Sequence, residues 1–420
     1  MPRPHPGGAR GGTTEVFDRL RREHRIRPPG PGLPVTDLRR ALGSASLAFG
    51  ALLCIGMIFL LALKLQFEQL GEGFNPLAVV AAGGVMALAS LGAPLRLGQV
   101  EVAVIPLGAV ALLGLALTWS SSSGAAAIRH RGGDRAGPLA RGLLVGLLFA
   151  FLCLLGALAF RFRGGPDPVS VAPFETLLWG LVWGSLFGVA GALRSQAPLL
   201  VQLTALARAL ETRFRLLYEG LCSGLVMLIG GAVMSCAALL LAAIVALLRG
   251  SAPLEPTWRS LGSMLIYVLF FAPNVVLTCL ALSLGAPVEV GGRISVAGNS
   301  FGRLVDYSLL DGGGAPLPVY ASLLLLVPLV ACLLGGAAAR RRAADHNAAL
   351  EVVGVAALTF GALVVVAAAL AEARLGAGLF GRRGVARVAA APLEAGLLAC
   401  GWGAALGWAG WRLQEWRSRR

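Results

Sequence analysis

Residues 42–63 read LGSASLAFGALLCIGMIFLLAL, an apolar run without a single charge. A helix needs about 20 mostly apolar residues to cross the hydrocarbon core of a bilayer, so this stretch reads as a membrane span. Nine similar stretches follow, at approximately 76–95, 102–119, 142–160, 174–193, 218–248, 260–285, 318–338, 350–371 and 393–411. The expected fold is all-α: a polytopic transmembrane helical bundle of eight to ten membrane segments.

Composition agrees. Apolar residues make up 57% of the chain and charged residues 14%, against about a quarter charged in an ordinary soluble domain. The net charge of +15 resides in short loops and at both ends, which points to anionic lipid headgroups as partners and away from nucleic acid. Nearly every basic residue is Arg, Lys64 being the one lysine, and with 57 Gly this fits a GC-rich bacterial genome. The seven cysteines all fall inside apolar segments and form no C-x-x-C pair. The four histidines are far apart in polar loops, so no metal site or disulfide framework is expected.

The organisation follows from these runs. Residues 1–40 read as a disordered basic tail and 41–193 as a first transmembrane half. Residues 194–217 read as an amphipathic connector helix, with Leu199, Leu203, Leu206, Leu210 and Phe214 on one face. A second half at 218–411 and a basic tail at 412–420 complete the chain. A long polar lead before the first span is unlike a signal peptide, so Leu42 to Leu63 is expected to be an uncleaved anchor.

The two halves share a near-repeat. Ser90-Leu-Gly-Ala-Pro-Leu-Arg-Leu-Gly98 is matched 193 residues later by Ser283-Leu-Gly-Ala-Pro-Val-Glu-Val-Gly291. Both copies continue with period-two alternation around a two-residue turn, Gly98-Gln99 in the first and Gly291-Gly292 in the second. That is a hairpin signal. An internal duplication is therefore expected, with a short β-hairpin after segments two and seven.

Charge discriminates between two arrangements. If all ten segments cross, the halves are inverted, and 21 Lys/Arg lie inside against 15 outside. If segments two and seven instead return to the face they left, the halves are parallel and the count is 24 against 12. The positive-inside rule favours the second arrangement. Both place the N- and C-termini in the cytoplasm of a plasma-membrane protein. Asn75-Pro76 with Gly83-Gly84, and Pro273-Asn274, are candidate breaks in those segments. Arg374, Arg382, Arg383 and Arg387 form an external basic cluster in either case.

The run Ala93-Pro-Leu-Arg-Leu-Gly-Gln-Val-Glu-Val-Ala-Val-Ile-Pro-Leu-Gly108 resembles a segment of the streptophobe family of actinobacterial membrane proteins. So does Ala272-Pro-Asn274 ahead of Leu284-Gly-Ala-Pro287, with the span ending Ala339-Arg-Arg-Arg342. The resemblance covers most of residues 40–340. It implies a multi-pass topology and offers no catalytic residues to carry over, since the family is uncharacterised.

Candidate sites are few. Glu175, Glu219, Glu351 and Glu394 stand near the starts of spans, where the helix dipole favours a carboxylate. Asp311-Gly-Gly-Gly314 lacks the Lys-Ser/Thr of a phosphate loop. The candidate substrate site or structural break is Asn274 with Pro273. The Asn274 amide serves there either a ligand or freed backbone groups, or it caps a second half-helix. With no catalytic cluster, no metal set and no cofactor motif, the expected function is a non-enzymatic membrane or envelope component. The alternative is a transporter or channel with its site near segments 76–95 and 260–285.

Overall fold

The computed structural model describes residues 35–66, 76–97, 100–129, 138–160, 162–163, 168–196, 214–248, 258–296, 299–301, 304–309, 319–342, 349–379 and 382–419. The connector expected at 194–217 lies mostly outside them, as does the basic N-terminal tail. Ten α-helices are described, one in each expected segment. They are α1 (Val35–Gln66), α2 (Pro76–Ala89), α3 (Leu107–Arg129), α4 (Pro138–Ala159), α5 (Pro173–Gln196), α6 (Arg215–Leu248), α7 (Trp258–Ser283), α8 (Leu326–Arg342, preceded by a 3₁₀ turn Val319–Leu325), α9 (Ala349–Ala371) and α10 (Pro392–Ser418). Four of them start on proline, whose fixed φ and missing N–H suit the first helical position. Seven contain a stretch long and apolar enough to cross a membrane, on α1, α4, α5, α6, α7, α8 and α9.

Of the expected breaks, Asn75 lies outside the described residues, and the helices run through the others. The helix α2 runs unbroken through Gly83 and Gly84 but has only 14 residues, about 21 Å, which falls short of a bilayer core of about 30 Å. The helix α7 runs unbroken through Pro273 and Asn274. A proline lacks the N–H that would bond the carbonyl four residues back, so the helix survives and Leu269 O is left without its helical donor.

Both α2 and α7 end in the repeated Ser-Leu-Gly motif. Gly92 and Gly285 have φ of +110° and +91°, a conformation that costs glycine nothing. The first expected hairpin follows: β1 (Leu95–Leu97) pairs antiparallel with β2 (Val100–Val104), Leu97 opposite Val100. The second differs from expectation. Val288–Val296 is one continuous strand, β5, with no turn at Gly291-Gly292. Its whole length, from Val288 opposite Ala390 to Val296 opposite Arg382, pairs with β9 (Arg382–Ala390). The ladder on that side runs through both glycines, Gly291 at a φ of +139°, and the chain reverses after Val296 into β6 (Asn299–Phe301) and then β7 (Leu304–Tyr307).

Two further hairpins, β3 (Phe162–Arg163) with β4 (Pro168–Val171) and β8 (Ala373–Leu379) with β9, were not anticipated. The nine described strands form a single sheet in the order β3-β4-β1-β2-β8-β9-β5-β6, with β7 also on β5. The halves meet where β2 pairs with β8, from Val100 opposite Ala377 to Val104 opposite Ala373.

That sheet decides the topology. The helices α2, α4, α7 and α9 run into it, and α3, α5 and α10 run out of it. If all ten helices crossed, five crossings would separate the end of α2 from the end of α7. Strands β1 and β5 would then lie on opposite faces and have no common sheet. The halves are therefore parallel, and α2 and α7 do not return to the face where α1 and α6 begin. At the end away from the sheet, Ser44 Oγ on α1 donates to Ser120 O on α3 at 3.0 Å, and Arg141 on α4 lies 3.9 Å from Asp37 on α1. There too the Arg340 guanidinium of α8 sits 5.5 Å over the Trp411 ring of α10. Both ends of the described chain lie at this pole.

The two halves pack alike. In the first, α4 lies against α5, α3 against α5, and α1 against both α3 and α4. In the second, α9 lies against α10, α8 against α10, and α6 against both α8 and α9. Small residues permit these approaches: a Cβ on Gly146 would collide with Ser185, and one on Gly184 would press on Gly146. The helix α7 joins the halves, touching α6 and α9 of its own and α1 and α3 of the other.

The seam is testable by disulfide trapping. Glu101 and Gly376 are opposite one another on β2 and β8, a spacing that suits a disulfide. In a chain whose native cysteines are replaced by alanine, Glu101→Cys with Gly376→Cys is expected to link the halves on oxidation. After cleavage at a protease site inserted in 197–213, they should migrate together until reduced. Separation without reductant would show that β2 and β8 are not neighbours.

Candidate functional site

Three features concentrate polar chemistry or open space, and all lie where the helices meet the sheet. The first is a pair of junctions built on the repeated motif. In the first half, Ser90 Oγ donates to Ala87 O at 2.6 Å, Gly92 N to Ala89 O at 2.9 Å, Trp183 Nε1 to Leu91 O at 3.0 Å, and Ala172 N to Pro94 O at 3.4 Å. In the second, Ser283 Oγ donates to Leu280 O at 2.7 Å, Gly285 N to Leu282 O at 2.9 Å, Trp402 Nε1 to Leu284 O at 3.0 Å, and Ala391 N to Pro287 O at 3.2 Å. Buried indoles need an acceptor for their N–H, and each takes one from the end of the preceding helical turn. Trp183 and Trp411 are buried. A sequence signal was available: Ala172-Pro-Phe-Glu175 with Trp183-Gly184 matches Ala391-Pro-Leu-Glu394 with Trp402-Gly403.

The second feature is Asn274, buried on α7. Its Nδ2 donates to Ile105 O at 2.7 Å and its Oδ1 accepts from Leu107 N at 3.0 Å. It caps no half-helix, because α7 is continuous. It clamps instead the two peptide groups flanking Pro106, where β2 gives way to α3. Next to this clamp, a Cβ on Gly108 would collide with Leu269 O, the carbonyl that Pro273 leaves without a donor. Pro273 and Asn274 thus serve one helix–helix contact.

The third feature is the sheet's two-sidedness, which follows from pairing register because opposite residues share a face. Leu95, Val102 and Val171 share one face with Val388 and Val290; Arg96, Glu101, Arg374, Arg387 and Asp306 share the other. On the charged face Glu372 accepts from Arg374 Nη2 at 2.8 Å, from Arg374 Nε, and from Arg387 Nε at 2.7 Å, while Arg387 Nη1 donates to Glu289 at 2.8 Å. Arg374 and Arg387 are directly opposed on β8 and β9, and two carboxylates separate their charges. The basic cluster expected outside is in part this paired network. Burial raises the Glu372 carboxyl, but the hydrogen bonds and charges of Arg374 and Arg387 together outweigh it and hold it below the ordinary carboxylate range.

Under the apolar face lies a chamber of about 210 Å³, between α1, α2, the β1–β2 hairpin and α7. Ile55, Phe59, Met86, Val102 and Phe270 line it, and its one hydroxyl, Ser90, is committed to Ala87 O. Phe59 stacks on Phe270 with centroids 5.8 Å apart. Glu175, Glu351 and Glu394 stand in first turns of their helices, and Glu219 accepts from Arg215 at 2.9 Å near the start of α6. Among the described residues, no group of three or more His, Cys, Asp or Glu stands together as a metal set.

The fold defines the class: a multi-pass helical membrane protein. In comparisons with family models, with curated proteins and with solved structures, nothing matches this chain.

Two variants probe the site. Asn274→Ala strands Ile105 O and Leu107 N, and each unsatisfied buried group costs about 1–3 kcal/mol. A clear fall in Tm in detergent is expected, and an unchanged Tm would mean the clamp contributes nothing. Because Glu372 is held below its ordinary value, its contribution is fully present above the unfolded-state value and lost as pH falls through the folded one. Stability measured from neutral pH down into the carboxylate range should therefore fall more steeply for wild type than for Glu372→Gln. Parallel curves would count against the network.

Proposed function

We propose that this protein is a non-enzymatic component of the plasma membrane, with both tails cytoplasmic and the sheet presented on the opposite face. Eight crossing helices hold the sheet, and α2 and α7 buttress it from beneath. The observation that carries this reading is the single sheet at the pole opposite both ends of the described chain; for parallel halves the sequence count gives 24 Lys/Arg inside and 12 outside. The positive-inside rule orients that distribution. The sheet's exposed face carries Arg96, Glu101, Arg374 and Asp306, which suits contact with water and with other envelope components.

We infer in addition that the halves descend from an internal duplication. Four hydrogen bonds recurring at matched positions support this, as does the same helix order in both halves. The transport alternative draws on that duplication. Against it, both ends of the Asn274 amide are bonded to backbone, and the chamber beside it offers apolar walls.

Cysteines placed singly at Glu101 and Asp306 in a cysteine-free chain test the orientation. A membrane-impermeant maleimide should label both on intact cells and should label Arg419→Cys only after permeabilisation. Labelling of Arg419→Cys on intact cells would reverse the orientation.

A further inference from the structure

We propose that the chamber between α1, α2, the β1–β2 hairpin and α7 is a binding site for the hydrocarbon tail of a membrane lipid. The walls specify the chemistry. Every side chain is apolar except Ser90, and its hydroxyl is spent on Ala87 O. A polar solute would lose its water there and find no partner. At about 210 Å³ the space exceeds the ~150 Å³ at which an apolar cavity stays dry and takes up benzene. It is far too small for a peptide helix of about 10 Å diameter.

The walls are also fixed. Phe270 is fully buried and stacked on Phe59, and the α7 backbone is pinned at Asn274. The α7 side of the chamber is therefore held in place. Access comes from the bilayer. Next to the lining residues Phe59 on α1 and Phe270 on α7, Ile58, Leu61, Val268 and Leu269 are exposed on the same helices. In a chain surrounded by lipid, the apolar chains at that opening are acyl tails.

The second half supplies a natural comparison. Aligning Ser90 with Ser283 sets the lining residue Ala89 against Leu282, a side chain three carbons larger. The first half keeps open a space that a leucine would occupy, so Ala89→Leu is a filling variant already tolerated in the same local backbone.

The test uses the full chain in phosphatidylglycerol vesicles doped with a phospholipid carrying a diazirine in its acyl chain. Cross-linked residues are mapped by mass spectrometry. Wild type is expected to be labelled at Phe270 and Leu95, which are buried from the surrounding bilayer. In Ala89→Leu that labelling should fall roughly tenfold, a difference of ~1.4 kcal/mol in occupancy, while labelling at lipid-facing Leu147 and Leu397 is unchanged. Absence of label at Phe270 and Leu95 in wild type, or its persistence in Ala89→Leu, would overturn the proposal. A diazirine fatty acid is the second arm; labelling by the free acid alone would overturn a membrane lipid as the source. If Ala89→Leu does not fold, Met86→Phe fills the same space and is read in the same way.

Discussion

Everything in this architecture depends on the pairing of β2 with β8. Within a bilayer a backbone polar group must find a partner inside the protein, and an unpaired strand edge at its surface invites association. Each half leaves such an edge. The β2–β8 ladder joins the two, and in doing so it forces the ends of α2 and α7 to one face. That requirement excludes ten crossings more firmly than any count of charges, because parity admits no intermediate case. The short β3, two residues long, ends the sheet at the other side of the first half.

The helix α7 packs against helices of both halves. Its proline does not break it, because neighbouring groups accommodate the altered backbone. Leu269 O faces a glycine, and Asn274 takes both peptide groups around Pro106. The same contact leaves an apolar chamber beside it. Rigid packing at the clamp and open space a few residues away are thus two results of one helix crossing.

The helices were legible because twenty apolar residues in a row have few alternatives. The hairpin of residues 95–104 was legible because apolar and charged residues alternate around Gly98-Gln99. The same cue misled at Gly291-Gly292, since two glycines allow a turn without requiring one, and the ladder to β9 continues through both. Strands β8 and β9 left little trace: ARLGAGL and RRGVARVAA are rich in glycine and alanine, which have weak strand propensity. Their form comes from pairing on both sides. Asn274 and Pro273 were recognisable as unusual in an apolar segment, but their partners lie 167 to 169 residues away, and no local pattern specifies them.

By itself the sequence determined the solvent this chain lives in, where along it each of the ten described helices falls, and the recurrence of one motif at the end of two of them. Those are local or compositional properties: hydropathy, proline at helix starts, glycine where φ is positive. Tertiary structure alone decided that the strands make one sheet and that a chamber remains between α1 and α7, and it required the parallel halves that charge had only favoured. Each of these depends on which distant backbone groups satisfy one another, and hydrogen-bond partners far apart in sequence are chosen by the fold as a whole.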